Sequence, residues 1–242
     1  FGKTKDKQGL WRFTLNNEPI FQFGPLDQGY FPEGLYTPPC EEAMLFDIKY
    51  AKKIGCNMIR KHVKVEPLRW YHACDKLGMI VWQDMPNGGR TTKDAVVYFT
   101  FTSGIHRFDQ RRLKRFGRED PENRLEFQEE LKEMVQTLYN CPCIAVWVPF
   151  NESWGQFDAI RIGKWVKTLD PTRLVDHASG WFDQGGGDFQ SRHVYVKPLS
   201  ARVPDDRILA VTEFGGYTMQ VDGHVYTESK RFGYGHFKDQ TG

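Results

Sequence analysis

The chain has 242 residues, 40% hydrophobic and 26% charged, with a net charge of +2, enough for one α/β domain with a large core. So balanced a charge gives no reason to expect nucleic acid or an anionic membrane as a partner, and no apolar run approaches the roughly 18 residues that span a bilayer. The five cysteines, Cys40, Cys56, Cys74, Cys141 and Cys143, are odd in number and form no C-x-x-C pair; they read as reduced and structural, not as metal ligands. No secretory leader is visible, and the compartment stays open between cytoplasm, periplasm and secretion.

In chain order, Pro19 to Gly24 (PIFQFG) reads as a first short strand. Glu41 to Ile54 places Met44, Ile48 and Ala51 at helical spacing, with acids in the first turn and Gly55 as its stop. Asn57 to Ile59 is a second strand leading into Arg60-Lys61-His62. Pro67 to Leu77 is helical, ended by Gly78, and Met79 to Trp82 (MIVW) is a third strand. Arg124 to Tyr139 predicts a helix with Phe127, Leu131, Met134, Val135 and Leu138 on one face. Cys143 to Phe150 (CIAVWVPF) is nearly all apolar, as expected of a parallel strand buried on both faces. A helix over Phe157 to Leu169 follows, and Arg173 to Ala178, Arg192 to Val196 and Ile208 to Thr212 supply three more strands.

Strands alternating with helices imply βαβ units and a parallel sheet. No glycine-rich phosphate loop follows the first strand, which disfavours a doubly wound nucleotide-binding sheet. The predicted fold is therefore α/β: a (β/α)₈ TIM barrel with seven strands in evidence, truncated before the eighth, because residues 214–242 are polar and glycine-dotted. One segment breaks the rhythm. Asn87 to Asn123 is a long connection, and Ile105 to Arg118 within it carries Arg107, Arg111, Arg112, Lys114, Arg115 and Arg118 against the single acid Asp109. Such a charge run usually faces water; the sharper alternative is a wall that favours an acidic ligand.

In a barrel of this kind the site lies at the C-terminal ends of the strands. The candidates there are Asp27, Arg60, His62, Asp84, Asn151-Glu152-Ser153-Trp154, His193, Tyr195 and Glu213. Glu152 and Glu213 follow two of the most apolar strands directly. Hydrolysis of a glycosidic bond needs two flanking carboxylates, one to protonate the leaving oxygen and one to attack the anomeric carbon or activate water. The Asn151-Glu152-Ser153 sequon at a buried strand end is a poor glycosylation acceptor.

Val148-Pro-Phe-Asn151-Glu152-Ser-Trp-Gly155 resembles the acid/base motif of glycoside hydrolase family 2, and Thr212-Glu213-Phe-Gly-Gly216 resembles its nucleophile motif. Leu15 to Phe21, Asn57 to Arg60, Asp170 to Arg173 and His193 to Tyr195 resemble further strand-end motifs of that family. The resemblance implies a retaining β-glycosidase, β-galactosidase-like, with β-glucuronidase or β-mannosidase specificity, or a non-catalytic sugar-binding barrel, as alternatives. It assigns Glu152 as acid/base and Glu213 as nucleophile. Asn151 would hydrogen-bond the sugar 2-hydroxyl, Arg60 and Tyr195 would lie beside Glu213, and Trp154, Trp181 and His193 would shape the sugar site; Asp27 and Asp84 complete the substrate-binding candidates. Residues 1–13 would be the lead-in from a missing β-sandwich domain and 14–242 the barrel. No cofactor or metal is expected, and a homo-oligomer is compatible with the family. Two stretches depart from the galactosidase-like pattern: Lys61-His62-Val-Lys64-Val-Glu66-Pro67 after the second strand and Gln83-Asp84-Met-Pro86 after the third. Both places touch substrate or metal in those relatives; the departures count against galactose specificity and a magnesium requirement, and no metal is carried over.

Overall fold

A computed structural model describes residues 1–90, 92, 108–195, 206–225 and 232–237. Its centre is a parallel sheet of five strands in sequential order, β4 (Leu26–Asp27), β5 (Met58–Lys61), β6 (Ile80–Asp84), β7 (Ile144–Val148) and β8 (Leu174–Val175). A second parallel pair joins β9 (Phe189–Val194) to β10 (Ile208–Phe214). Helices α1 (Glu41–Lys53), α2 (Leu68–Leu77), α3 (Pro121–Leu138) and α4 (Ala159–Leu169) lie between the strands. Every residue of β5 to β8 is buried, as parallel strands covered on both faces require.

Side chains alternate across these strands and build two cores. Outward-facing Ile59, Val81 and Trp147 pack with the helices through Ile48, Trp70, Phe127, Leu131, Val135, Ile162 and Val166. Inward-facing Met58, Ile80, Trp82, Val146, Val148 and Leu174 meet Phe189 and Ile208 from the second pair. The Trp82 and Phe189 rings, one from each sheet, lie 4.6 Å apart. The two sheets thus curl around one interior. The hydrogen-bonded ring is not closed: no ladder joins β8 to β9 or β10 to β4 among the described residues.

The N-terminal residues form an antiparallel sheet of β1 (Gly2–Lys5), β2 (Trp11–Leu15) and β3 (Glu18–Pro19). Phe1, Trp11, Phe13 and Ile20 pack beneath the interior core, where the parallel strands begin. This corrects the first predicted strand. Pro19 pairs back onto Thr14, while Phe21 and Phe23 are 84% and 52% exposed. Pairing to β5 starts only where Asn57 N donates to Phe23 O, and becomes regular at Leu26–Asp27. An apolar run alone did not reveal that its backbone belongs to a connector. The strand expected at Arg192–Val196 begins three residues earlier, and Val196 lies outside the described residues. Residues 214–242, read as strandless, contain a parallel pair, β11 (Tyr217–Met219) with β12 (Gly235–Phe237).

The helix ends follow their sequence signals. Asp120 caps α3 by accepting from Glu122 N at 2.9 Å, with Pro121 in the first turn. The start of α4 is different: Asp158 makes no side-chain cap, and Asp109 of the long connection supplies it, accepting from Ala159 N at 2.9 Å. The described end of that connection, from Asp109 to Arg118, is therefore docked to the barrel. Arg111, Arg112 and Lys114 are exposed, whereas Arg118 is buried, its Nε on Gly155 O at 2.8 Å and its guanidinium 4.5 Å from the Phe127 ring. Burial pushes the Arg118 pKa down to about 10. Ile105 and Arg107 lie outside the described residues.

Candidate active site

Arg60 stands among the C-terminal ends of the parallel strands. It follows Met58 by two residues on β5, so its side chain points into the same interior. Its Nε and Nη2 donate to the two oxygens of Asp84 at 3.0 and 2.9 Å. Nη2 also reaches Asn151 Oδ1 at 2.9 Å, and Nη1 reaches Glu213 Oε1 at 3.1 Å. The planar fork of a guanidinium suits four acceptors arranged in this way; a lysine could not address them together. Burial opposes the charge, but Asp84 and then Glu213 hold the guanidinium more firmly protonated than usual.

Glu213 is aimed by a bulge. The register between β10 and β9 slips between Val211 and Glu213, and such an extra residue turns the following side chain. Thr212, at the slip, accepts from Ser179 Oγ at 3.0 Å. Glu152 is aimed by a strained turn: φ is +51° at Glu152, +69° at Ser153 and +62° at Gly155. A non-glycine residue in that region costs of order 1–3 kcal/mol, and such strain gathers at functional sites. A Cβ on Gly155 would lie 2.4 Å from Gly88 O, so only glycine fits there. The turn is tied down by Glu152 N on Ser179 O at 2.9 Å, by Arg118 on Gly155 O, and by Gln156 Nε2 on Asp109 Oδ2 at 2.9 Å.

The two carboxylates meet through Tyr195 and His193. The Tyr195 hydroxyl donates to Glu213 Oε2 and lies 2.9 Å from Glu152 Oε1. His193 Nδ1 is 2.7 Å from the same Glu152 oxygen, and its Nε2 is 3.5 Å from Glu213 Oε1. One oxygen of Glu152, one nitrogen of His193 and one oxygen of Glu213 all fall within 4.8 Å of one another. Three such donors could hold a cation, but the Arg60 guanidinium already occupies one side of Glu213, so the donor set fits a proton-handling carboxylate pair better than a metal.

Burial pushes the Glu152 carboxyl above its ordinary range, against the pull of the Tyr195 hydrogen bond, Arg60 and His62. His193 is pushed down to about 3 by burial and is neutral at physiological pH. A tyrosine hydroxyl has one proton. If Tyr195 gives it to Glu213, the Tyr195–Glu152 contact needs a proton from Glu152. The raised Glu152 and the geometry thus agree.

Of the other predicted residues, Asn151 is buried and bonded to Arg60, and Trp154 follows Glu152 by two residues in the strained turn. Trp181 lies edge-on to His193 and Tyr195, at 6.0 and 6.3 Å between ring centres. Asp84 commits both oxygens to Arg60. Asp27 is not brought into this group; it turns to Lys61 Nζ at 2.7 Å on the outer side of β5. The Asn151 sequon is closed off, with Asn151 and Ser153 both buried.

His62 went unassigned among the strand-end candidates. It shares the inward side with Arg60 by the two-residue period, a signal that could have given it a place in the site. Its Nε2 is 3.2 Å from Asn151 Nδ2 and 3.7 Å from Glu213 Oε1, and burial lowers its pKa. Tyr234 had no such signal. Its ring stacks on Tyr195 at 3.8 Å between centres and 13° between planes.

Parallel strands carrying a carboxylate pair at their C-terminal ends place the chain in the α/β-barrel class. Its family is narrower: the family model "Glycosyl hydrolases family 2, TIM barrel domain" matches residues 40–202, and the chain belongs to that family. Similar curated proteins include the "Beta-galactosidase" of Yersinia enterocolitica, 31% identical over 69% of this chain and 14% of its own length, and that of Leuconostoc mesenteroides, 27% identical over 85% of this chain and 17% of its own. The chain thus spans only about a sixth of these relatives. Among solved structures, a family 2 β-galacturonidase from Eisenbergiella tayi bound to galacturonate superposes with a TM-score of 0.56 at 18% identity, over 77% of this chain and 30% of that one. A β-glucuronidase from Parabacteroides merdae superposes at 0.52, with 18% identity, over 81% and 22%. At such identities these two attest the fold alone.

Proposed function

We propose that the site hydrolyses β-linked glycosides with retention, Glu213 attacking the anomeric carbon while Glu152 protonates the leaving oxygen. The observation that carries this reading is the carboxylate pair: oxygens of Glu152 and Glu213 within 4.8 Å, bridged by Tyr195. Retaining enzymes place the two carboxyls about 5–5.5 Å apart, whereas inverting ones leave about 6.5–9.5 Å for a water. Arg60 Nη1 holds Glu213 Oε1 at 3.1 Å, fixing the orientation that an attacking carboxylate needs, and burial favours the protonated Glu152 that an acid must be. After the glycosyl–enzyme ester forms, Glu152, now a carboxylate, takes a proton from water as that water attacks the same carbon, the bond from that carbon to Glu213 breaks and the Glu213 carboxylate is released. Asn151 and Trp154 border the sugar.

The sugar is read as galactose-like from the β-galactosidases among the curated relatives. An acidic sugar is the second reading, motivated by the uronidases among the solved structures. The described cations of the long connection do not favour it: Arg111 and Arg112 are exposed, and Arg118 is spent on backbone and Asn123. The much greater length of the relatives supports further domains in the whole protein, but residues 1–13 go with the barrel: β2 (Trp11–Leu15) runs across position 13, and Phe1, Trp11 and Phe13 pack in the interior core.

The test is hydrolysis of a panel of aryl β-glycosides by the full-length protein, with Glu213→Gly in parallel. Turnover of one sugar, lost in Glu213→Gly and restored by azide, would establish the nucleophile and name the glycon. No turnover of any sugar would move the assignment to a sugar-binding barrel. Unchanged glucuronide turnover after neutralising Arg111, Arg112 and Arg115 would remove the long connection from any carboxylate reading.

A further inference from the structure

The stretch Lys61 to Pro67, which sets this chain apart from galactosidase-like sequences, has a structural counterpart at the rim of the site. Beyond β4 the chain turns into a tight loop in which Phe31 and Leu35 exchange two backbone hydrogen bonds of 2.9 Å each. Its two arms place Tyr30 beside Tyr36, ring centres 5.1 Å apart at 61°, with the hydroxyls bonded at 3.1 Å. The residues are 50% and 56% exposed.

Beneath this pair lies a buried ion cluster. Lys64 Nζ is 2.8 Å from Glu66 Oε1, donates to Gly29 O, and sits 5.5–5.9 Å from the rings of Tyr30, Phe31 and Tyr36. Lys61 Nζ bridges the same Glu66 oxygen at 2.9 Å and Asp27 at 2.7 Å. Gly29 has φ +64°, and a Cβ there would lie 2.7 Å from Glu66 Oε1 and 2.8 Å from Lys61 Nζ. Buried charges of this kind are expensive to arrange and expensive to break. Here they fix the path of an otherwise exposed aromatic loop.

The loop is also joined to the catalytic centre. Gln28 Nε2 lies 3.3 Å from His62 Nδ1, and His62 Nε2 is 3.7 Å from Glu213 Oε1. Tyr30 follows Gln28 by two residues, a backbone span of at most ~7 Å. Scattered exposed aromatics need no explanation; two rings bonded to each other, pinned from below and one side chain away from the nucleophile's neighbour are a built surface.

We propose that Tyr30 and Tyr36 form a stacking platform for the leaving-group sugar of a β-linked di- or oligosaccharide. The proposal rests on the glycosidase reading and extends it from the glycon to the aglycone. A flat aromatic face covers the apolar face of a pyranose, and the hydroxyl edge suits a partly wet, polar ligand. Because both rings are already held, binding orders little. The connection through Gln28 and His62 favours a sugar that continues out of the catalytic pocket over a separate protein partner.

The test compares two substrates sharing the glycon that the aryl panel selects; for galactose these are β-galactosyl fluoride, whose leaving group is one atom, and lactose. In Tyr30→Ala and Tyr36→Ala the ratio of kcat/KM for the disaccharide to that for the fluoride should fall about tenfold, mostly through KM. Tyr36→Phe should restore the ratio, since stacking needs the ring. An unaltered ratio in both alanine variants overturns the platform, as does an equal loss on both substrates, which marks a structural role. Fluoride turnover by the unmodified protein checks the glycosidase reading separately: its absence would sink that reading whatever the tyrosines do.

Discussion

Arg60 and Lys61 are neighbours on one strand, both buried, both set between carboxylates, and they face opposite ways. Arg60 looks into the interior and binds Asp84, Asn151 and Glu213. Lys61 looks outward and binds Asp27 and Glu66. The inner cation uses a planar fork to fix the geometry of Glu213, the proposed nucleophile; the outer one uses a point charge to pin a loop. One residue of register therefore separates the network of the candidate site from an architectural one.

The largest effect that would sharpen this contrast is on stability. Lys61→Met should destabilise the protein by about 3–5 kcal/mol, because Asp27 would stay buried without its cation while Glu66 would keep only Lys64, as read by denaturant unfolding. Turnover of the glycosyl fluoride by the folded fraction should persist; a folded, stable Lys61→Met protein without turnover would break the division of roles. Arg60→Lys should do the opposite. It keeps a cation but cannot span Asp84, Asn151 and Glu213, and misplacing a catalytic group by about 1 Å costs about a hundredfold in rate. Steady-state kinetics that fall less than tenfold would show that charge alone, and not the fork, serves Glu213.

The pH dependence should come from the interior side. Burial pushes His177 down to about 4 and His193 down to about 3, while in the unfolded chain both titrate near 6.5. Between those values the unfolded chain binds protons that the folded one refuses. Stability should therefore drop as pH falls from about 6.5 toward 4, by up to ~1.4 kcal/mol per pH unit for each histidine. Asp176, buried and pushed up to about 6, opposes this in part, since its folded carboxyl takes a proton before the unfolded one does. Denaturation midpoints that do not change between pH 7 and pH 5 would contradict the neutral burial of the two histidines. In kcat/KM, the alkaline limb should lie above the ordinary glutamate range, because Glu152 must be protonated and its pKa is raised.

The smallest predicted effect concerns the ring stacked on Tyr195. Tyr234→Ala should lower kcat by a few fold with little change in KM, because an aromatic pair of this kind is worth about 0.5–1.5 kcal/mol and acts here by steadying the Tyr195 hydroxyl. Tyr234→Phe should behave like the unmodified protein. A change confined to KM would place Tyr234 against the substrate instead.

Much of this was legible in the residues themselves. The helical spacing of Met44, Ile48 and Ala51 and the apolar run before Asn151 set elements whose burial pattern follows directly, because period and hydrophobicity are local properties. The pairing of Glu152 with Glu213 was legible too, since both lie at converging C-terminal strand ends, Glu152 four residues past β7 and Glu213 in the penultimate position of β10. What stayed hidden depended on backbone partners far away in sequence. Pro19 belongs to an antiparallel sheet and not to the barrel, a fact decided by where Thr14 lies. Asp109, read only as the lone acid in a basic run, is the cap of α4.

By itself the sequence determined the alternation of strands and helices, the strand-end carboxylates and the family, because each is written in short-range pattern and motif. Only the tertiary structure decided which way Arg60 and Lys61 face, that a bulge and a strained turn bring Glu213 and Glu152 within reach of one tyrosine hydroxyl, and that the Lys61–Glu66 stretch supports a pair of exposed rings. Those outcomes depend on register, on left-handed backbone and on which charges share a buried space, and none of these is fixed until distant segments have packed.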